Sequence, residues 1–347
     1  MDPDDKYMYR CLQLARKGAG HVAPNPMVGA VLVYNERIIG EGYHQVYGQA
    51  HAEVNCINSV LPEDVPLIQE STLYVSLEPC AHFGKTPPCA DLIIRKQIRK
   101  VVVGCRDPFK EVDGKGIEKM KAAGIEVISN VLEEACTDLN KRFFTFHLLS
   151  RPYVILKWAQ SSNCKISGGG SGRVFISNAW TNTLVHKWRS EEAAIAIGTN
   201  TALLDNPFLT TRLWPGRNPV RIVLDKKLSI PRSQNIYSSD ARTVVFNEVK
   251  EGDDQHIRYL LMKPGEPLAE QMLAGLYKLG IQSVIIEGGT RFLQTFIHEN
   301  LWDEARVITN NEMLIDDGSD APIFSKGDLI HSETYLSDSI KIYQNRY

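Results

Sequence analysis

The sequence predicts an α/β protein built as two domains, and three observations carry that expectation. At 347 residues the chain exceeds the roughly 250–300 residues beyond which one hydrophobic core stops growing. Short apolar runs alternate with stretches of helical periodicity in both halves, the pattern of sheets covered by helices. At Arg151-Pro152 a long helical stretch gives way to a new strand. That sets the boundary at about residue 148, with domains 1–147 and 148–347.

In the first half, Asp4 or Asp5 can cap a helix running to about Gly18, with Met8, Cys11, Leu12 and Ala15 at helical spacing. Pro24 to Gly29 feeds a strand over 30–34, and a tight turn at Asn35-Glu36 leads to a second strand ending near Tyr43-His44. Residues 51–61 read as a helix with Val54, Ile57 and Leu61 inward, then 71–77 as a strand. Pro87-Pro88 opens another helix at Cys89, backed by Leu92, Ile93 and Ile94. A buried strand at Val101-Val102-Val103, a helix over 115–123, a strand over 125–128 and a helix over 131–147 complete this domain.

Composition narrows the function classes. Hydrophobic content of 43% and charged content of 23% are those of a soluble globular protein. Net charge is −2 with no long basic run, which argues against a nucleic-acid partner. The acidic start Met1-Asp2-Pro3-Asp4-Asp5 is unlike a signal peptide, and no apolar run suits a membrane span, so a cytoplasmic protein is expected. Seven scattered cysteines do not suggest a disulfide framework.

The chemistry concentrates between His51 and Cys89. His51-Ala52-Glu53 is followed, after a helix and a strand, by Glu78-Pro79-Cys80 and then by Cys89. One imidazole and two thiolates suit Zn2+, one per chain, with a fourth tetrahedral position open. Both ligand clusters fall at expected helix starts, where free N–H groups favour thiolate. Glu53 is placed to move protons. His-x-Glu joined to a later Pro-Cys and a second Cys resembles the zinc-dependent deaminases. The competing reading is a closed structural site, which needs a fourth ligand; Cys105 is the cysteine near that sheet edge.

Eight residues separate Cys80 from Cys89, where two are usual, and they include His82 and Lys85. Added positive charge there suits a phosphorylated substrate. With Asn25-Pro26-Met27-Val28-Gly29-Ala30 and Glu78 to Cys89, this half resembles the bifunctional riboflavin-biosynthesis deaminase/reductase family. The resemblance implies a cytidine-deaminase-like three-layer domain acting on a diamino-pyrimidinone ribosyl phosphate. It makes His51, Cys80 and Cys89 the metal ligands and Glu53 the catalytic proton shuttle. It places Asn25, His44, His82, Lys85 and Asp107 against substrate. Phe109 stands where that family often has Asn.

The second half opens with a strand from Tyr153 to Ser161 and a Gly-rich stretch, 168–172, read as a flexible loop. Helices over 178–192, 267–279 and 290–300 alternate with strands at 193–197, 220–224, 243–246 and 283–286. Glu287-Gly288-Gly289-Thr290 forms a strand-to-helix turn open to a phosphate. With Lys157, Thr201, Asp205 and Arg212, this order is similar to the reductase half of the same family. That implies a dihydrofolate-reductase-like α/β domain using NADPH to turn a ribosyl side chain into a ribityl one. Lys157, Ala159, Phe175, Thr201, Asp205, Gly289 and Thr290 are expected near NADPH; Arg173, Arg189, Leu209, Arg212 and Glu287 near substrate. Two departures stand out: Ser161-Ser162-Asn163-Cys164 replaces a Ser-x-Asp-Gly run, and Phe175 replaces a Trp.

The expected protein is thus a two-step enzyme and a homo-oligomer, dimer or tetramer. Three alternatives compete with it: a deaminase whose second domain is degenerate and kept for assembly, a nucleic-acid base deaminase, and a zinc platform joined to a nucleotide sensor.

Overall fold

The computed structural model describes residues 2–169, 174–324 and 326–346. The chain divides into two compact units, Met1–Leu149 and Ser150–Tyr347.

In the first unit, strands β1 (Gly29–Tyr34), β2 (Arg37–Tyr43), β3 (Thr72–Leu77), β4 (Lys100–Cys105) and β5 (Glu126–Ile128) form one sheet in the order β2-β1-β3-β4-β5. The β1–β2 hairpin turns at Asn35 (φ 46°) and Glu36 (φ 61°), the twist that matches a two-residue hairpin. Side chains alternate across the sheet, and helices cover both faces. Ala30 and Leu32 pack with helices α2 (Ala52–Asn58), α3 (Cys89–Arg95) and α4 (Lys115–Ala122). Val31 and Val33 pack with α1 (Pro3–Ala15) and α5 (Glu133–Leu139). The layers approach closely: a Cβ on Gly29 would lie 2.0 Å from the Cys11 carbonyl oxygen.

Three expectations need correction. The N-cap of α1 is Asp2, which accepts from Asp4 N–H and leaves Pro3 at the first helical position. Helix α2 stops at Asn58, so Leu61 lies outside it and is exposed. The stretch 131–147 is two helices, α5 and α6 (Lys141–Leu149). They part at buried Asn140, whose amide bonds both ways to the backbone of Met27 (2.8 and 2.9 Å). That pair of bonds anchors the segment leading into β1.

In the second unit, β6 (Tyr153–Ser161), β7 (Ala194–Gly198), β8 (Val220–Leu224), β9 (Thr243–Asn247), β10 (Gly252–Asp254), β11 (Ile257–Leu261), β12 (Ser283–Glu287), β13 (Glu304–Asn310), β14 (Asp328–Tyr335) and β15 (Asp338–Gln344) make a ten-stranded sheet. Its order is β10-β11-β9-β8-β7-β12-β6-β13-β15-β14. The centre is parallel and buried on both faces, Val154 and Leu156 in one core and Tyr153 and Ile155 in the other. Helices α7 (Ala179–Glu191), α8 (Thr199–Asp205), α9 (Leu268–Lys278) and α10 (Thr290–His298) connect the strands. Strands β10, β11, β13, β14 and β15 and helix α8 have no counterpart in the sequence-based expectations.

Candidate active sites

His51 is the N-cap of α2, Cys89 the first residue of α3, and Cys80 lies three residues beyond β3. The topology therefore brings them to one end of the sheet. His51 Nδ1 is 3.6 Å from Cys80 Sγ and 3.4 Å from Cys89 Sγ. Tetrahedral zinc with ordinary bond lengths requires N–S edges of ~3.6 Å, so the donors fit the ion. The three ligand atoms lie within 4.8 Å of one another, and no fourth His, Cys, Asp or Glu joins them among the described residues. Cys105 instead donates its thiol to the Ser76 carbonyl. Among the described residues a closed structural site therefore lacks a fourth ligand.

The hydrogen bond from Cys89, then the nearby His51, holds Cys80 far below the usual thiol range. The Cys89 backbone N–H adds a contact to Cys80 Sγ at 3.3 Å. Glu53, on the inward face of α2, is 3% exposed, and burial raises its pKa against the pull of His51.

The other predicted residues of this half surround that cluster. His44 is buried, its pKa is lowered by burial, and its Nδ1 lies 3.0 Å from the Ala50 carbonyl. A carbonyl can only accept, so the neutral ring carries its proton on Nδ1. Nε2 then accepts from Asn25 Nδ2 at 3.1 Å. The His44 ring stands edge-on to His51, 5.3 Å away. Asp107 follows β4 and accepts from the Phe109 N–H at 2.8 Å; burial raises its pKa to about 7. His82 packs edge-on against Phe109, and Lys85 lies over the Tyr47 ring.

Sequence reasoning missed the supports. Glu78 is buried and accepts from the N–H groups of Asp107, Gly114, Gly116 and Ile117, fixing the loop that carries Asp107. A Cβ on Gly116 would sit 1.9 Å from the Pro79 carbonyl oxygen, so only glycine lets that loop close. Thr86 Oγ1 lies 3.4 Å from His51 Nε2, the ring nitrogen away from the thiolates. For Glu78 and Thr86 the placement within the motif hinted at such roles; Gly116 lies outside it and carried no signal.

In the second unit a cleft of about 1040 Å³ opens where β6, β7, β8 and β12 end, the usual ligand position in such sheets. Lys157, Ala159, Phe175, Thr201, Asp205, Gly289, Thr290, Arg189, Leu209 and Glu287 all line it. Gly288, at φ 134°, makes the β12–α10 turn, and Gly289 N–H donates to Thr201 Oγ1 at 3.2 Å. Arg189 Nη2 bonds Glu287 Oε2 at 2.9 Å, and Lys157, opposite Glu287 in register, has Nζ 3.8 Å from Oε1. Burial would raise the Glu287 pKa, but Arg189 and Lys157 outweigh it and hold it at about 2. Arg189 Nε and Glu287 Oε1 are buried without a hydrogen-bond partner, which fits an incoming polar group.

Arg212 is not among the residues lining the cleft. Its side chain bonds Thr210 Oγ1 and lies over Phe208, while its N–H donates to His186 Nδ1 at 2.9 Å. His186, unmarked by sequence reasoning, has its pKa lowered to about 4 by burial and then by Arg189 and Arg212. Arg173 lies outside the described residues.

A His-x-Glu on a helix, two thiolates and a three-layer sheet define the first unit as a zinc-dependent deaminase of the cytidine and deoxycytidylate type. Residues 1–105 match the model of the cytidine and deoxycytidylate deaminase zinc-binding region, and residues 152–327 match the RibD C-terminal domain. Riboflavin biosynthesis protein RibD of Aquifex aeolicus is 39% identical over 307 residues, 86% of this chain and 85% of that protein. The Escherichia coli protein of the same name is 31% identical, covering 92% and 89%. A Thermotoga maritima crystal structure of a diaminohydroxyphosphoribosylaminopyrimidine deaminase/5-amino-6-(5-phosphoribosylamino)uracil reductase superposes with TM-score 0.90 at 36% identity, covering 99% of each chain. The chain belongs to the RibD family of bifunctional enzymes, which carry out the deaminase and reductase steps of riboflavin biosynthesis. Among the described residues no helix is long and apolar enough to cross a membrane.

Proposed function

We propose that the first domain, residues 1–147, hydrolyses 2,5-diamino-6-(5-phosphoribosylamino)pyrimidin-4-one with loss of ammonia. The second, 148–347, then reduces the ribosyl side chain with NADPH to give 5-amino-6-(5-phosphoribitylamino)uracil. The observation that carries this is the three-ligand cluster with buried Glu53 beside it, together with the cation-lined cleft in the second unit.

His51, Cys80 and Cys89 would hold zinc, which when bound supplies Lewis acidity and makes the attacking water acidic near neutral pH. Glu53 takes one proton from the attacking water and gives it to the ring nitrogen, then takes the second from the resulting hydroxyl and gives it to the departing amine. Its raised pKa suits that shuttle. Asn25, whose Nδ2 donates to His44 Nε2, would meet the substrate ring with its carbonyl oxygen. Asp107 and His82 complete the polar wall, and Lys85 meets the phosphate.

NADPH, when bound, supplies the hydride. Lys157, Ala159, Phe175, Thr201, Asp205, Gly289 and Thr290 line the cleft and would bind and orient it. Arg189, Leu209 and Glu287 receive substrate. Arg212, which is not among the residues lining the cleft, would meet the substrate phosphate together with Arg189. A homo-oligomer is supported by the outermost strand β14, where Leu329 and Ile330 are exposed. A cytoplasmic site of action is supported by seven free cysteines, two of them positioned as thiolate ligands.

The test is to incubate the protein with the diamino-pyrimidinone ribosyl phosphate and follow ammonia and NADPH absorbance together. Ammonia should appear without NADPH, and NADPH oxidation should require prior deamination. NADPH oxidation that precedes ammonia would reverse the order of steps and defeat the proposal.

A further inference from the structure

The segment between Cys80 and Cys89 holds two polar side chains, His82 and Lys85, against aromatic rings from elsewhere in the same domain. Lys85 Nζ lies 4.1 Å from the Tyr47 ring centroid, and Tyr47 comes from the loop between β2 and α2. His82 packs edge-on against Phe109 at 5.8 Å, and Phe109 comes from the loop after β4. Phe109 is itself backed by His147 at 5.0 Å, and His147 by Phe143 at 4.4 Å, both on α6. The Asp107 carboxylate fixes the Phe109 backbone through its N–H. His82 Nδ1 is buried and has no hydrogen-bond partner, and the imidazole packs against the Phe109 ring.

We propose that Tyr47 and Phe109 are positioning residues for deamination: Tyr47 holds the Lys85 ammonium ready for the substrate phosphate, and Phe109 sets the His82 ring. The inference rests on the proposed roles of Lys85 and His82. An ammonium over an aromatic face keeps its other N–H groups free, so the ring can hold it without consuming its phosphate contact. A lysine stem with four free torsions would otherwise be ordered at the moment of binding, at a cost in affinity. Neither ring reaches the reacting atoms.

The experiment measures ammonia release with the ribosyl phosphate and with its dephosphorylated riboside, at fixed zinc content. Lys85→Ala should raise KM for the phosphate ester alone; an unchanged KM would defeat the reading of Lys85 and this inference with it. If Lys85→Ala behaves as expected, Tyr47→Ala should raise the same KM about two- to fivefold with kcat held. Tyr47→Phe, which keeps the ring, should match the parent. Tyr47→Ala combined with Lys85→Ala should add nothing beyond Lys85→Ala. Phe109→Leu should likewise raise KM for both substrates, be rescued by Phe109→Tyr, and add nothing to His82→Ala. Full additivity in either pair, or equal loss in Tyr47→Phe and Tyr47→Ala, would overturn the positioning role.

Discussion

Two buried carboxyls, one in each domain, are both pushed upward in pKa by desolvation and end with opposite charge behaviour. Asp107 follows strand β4 and is 6% exposed; Glu287 ends strand β12 with its side chain 12% exposed. Burial raises both pKa values. Asp107 has only the Phe109 N–H in compensation, with Glu78, Cys80 and Asp113 adding negative charge, and rises to about 7. Glu287 sits between Arg189 and Lys157 and falls to about 2. Partners, not burial, decide whether such a group can carry a proton. In the first domain Asp107 can gain and lose a proton near neutrality, and burial raises the Glu53 pKa as well. The reductase domain keeps a fixed charge, as hydride transfer within an oriented complex demands.

The largest effect expected from breaking this contrast is at the deaminase acid. Glu53→Gln should lower ammonia release about 10³-fold while zinc content stays at one per chain, because only the proton carrier is removed. NADPH oxidation with deaminated substrate should be unchanged. Normal ammonia release by that variant would remove Glu53 from the chemistry. Glu287→Ala should act in the other domain, lowering NADPH oxidation about 100-fold with ammonia release intact. It also leaves Arg189 and Lys157 without their buried counter-charge, at a cost of about 3 kcal/mol to that domain's stability. Parallel loss of both activities would show that the sites are not separate.

The same contrast predicts opposite pH slopes. Asp107 has a folded pKa of about 7 against an ordinary value of 3.8, so the folded state binds more protons in between. Its contribution is present below the lower value and is lost as pH rises through the upper one. His186 has a folded pKa of about 4 against 6.5, so the unfolded state binds more protons. Stability of the second domain is therefore lost as pH falls from 6.5 toward 4. Calorimetry between pH 4 and 7.5 should show Asp107→Asn flattening one slope and His186→Gln the other. Identical slopes in parent and variants would refute the assignment.

The two sites were not equally legible in the sequence. His51, Glu53, Cys80 and Cys89 lie within 39 positions and have a spacing that admits few alternatives. In the cleft, Arg189 and Glu287 are 98 residues apart and meet only through the order of strands. Single residues there carry no local signal, so the resemblance had to name them. Arg212, expected at substrate, is not among the residues lining the cleft. Asn140 looked like an ordinary helical residue because its partner, Met27, is 113 positions away. Strand β14 escaped notice because, as an edge strand with nearly every residue exposed, it lacks the alternation that reveals a half-buried strand.

The smallest expected effect concerns a turn where this chain departs from the resemblance. Cys164 occupies the position where a glycine was expected and adopts φ 61°, a left-handed conformation unfavourable for a side chain by ~1–2 kcal/mol. The turn persists because its ends are tied elsewhere. Asn163 donates to the Ile315 carbonyl and accepts from the Ile315 N–H, and the Cys164 carbonyl accepts from the Ala321 N–H. An aspartate could not make the first of those bonds, so the Asn belongs with this arrangement. Cys164→Gly should relieve the backbone while giving back ~0.5–1 kcal/mol in unfolded-state entropy. The net gain of about 0.5–1 kcal/mol should raise Tm of the second domain by about 2 °C. Cys164→Ala removes the exposed thiol but keeps the Cβ, so it should gain nothing; an equal gain in both variants would trace the effect to the thiol instead of the backbone.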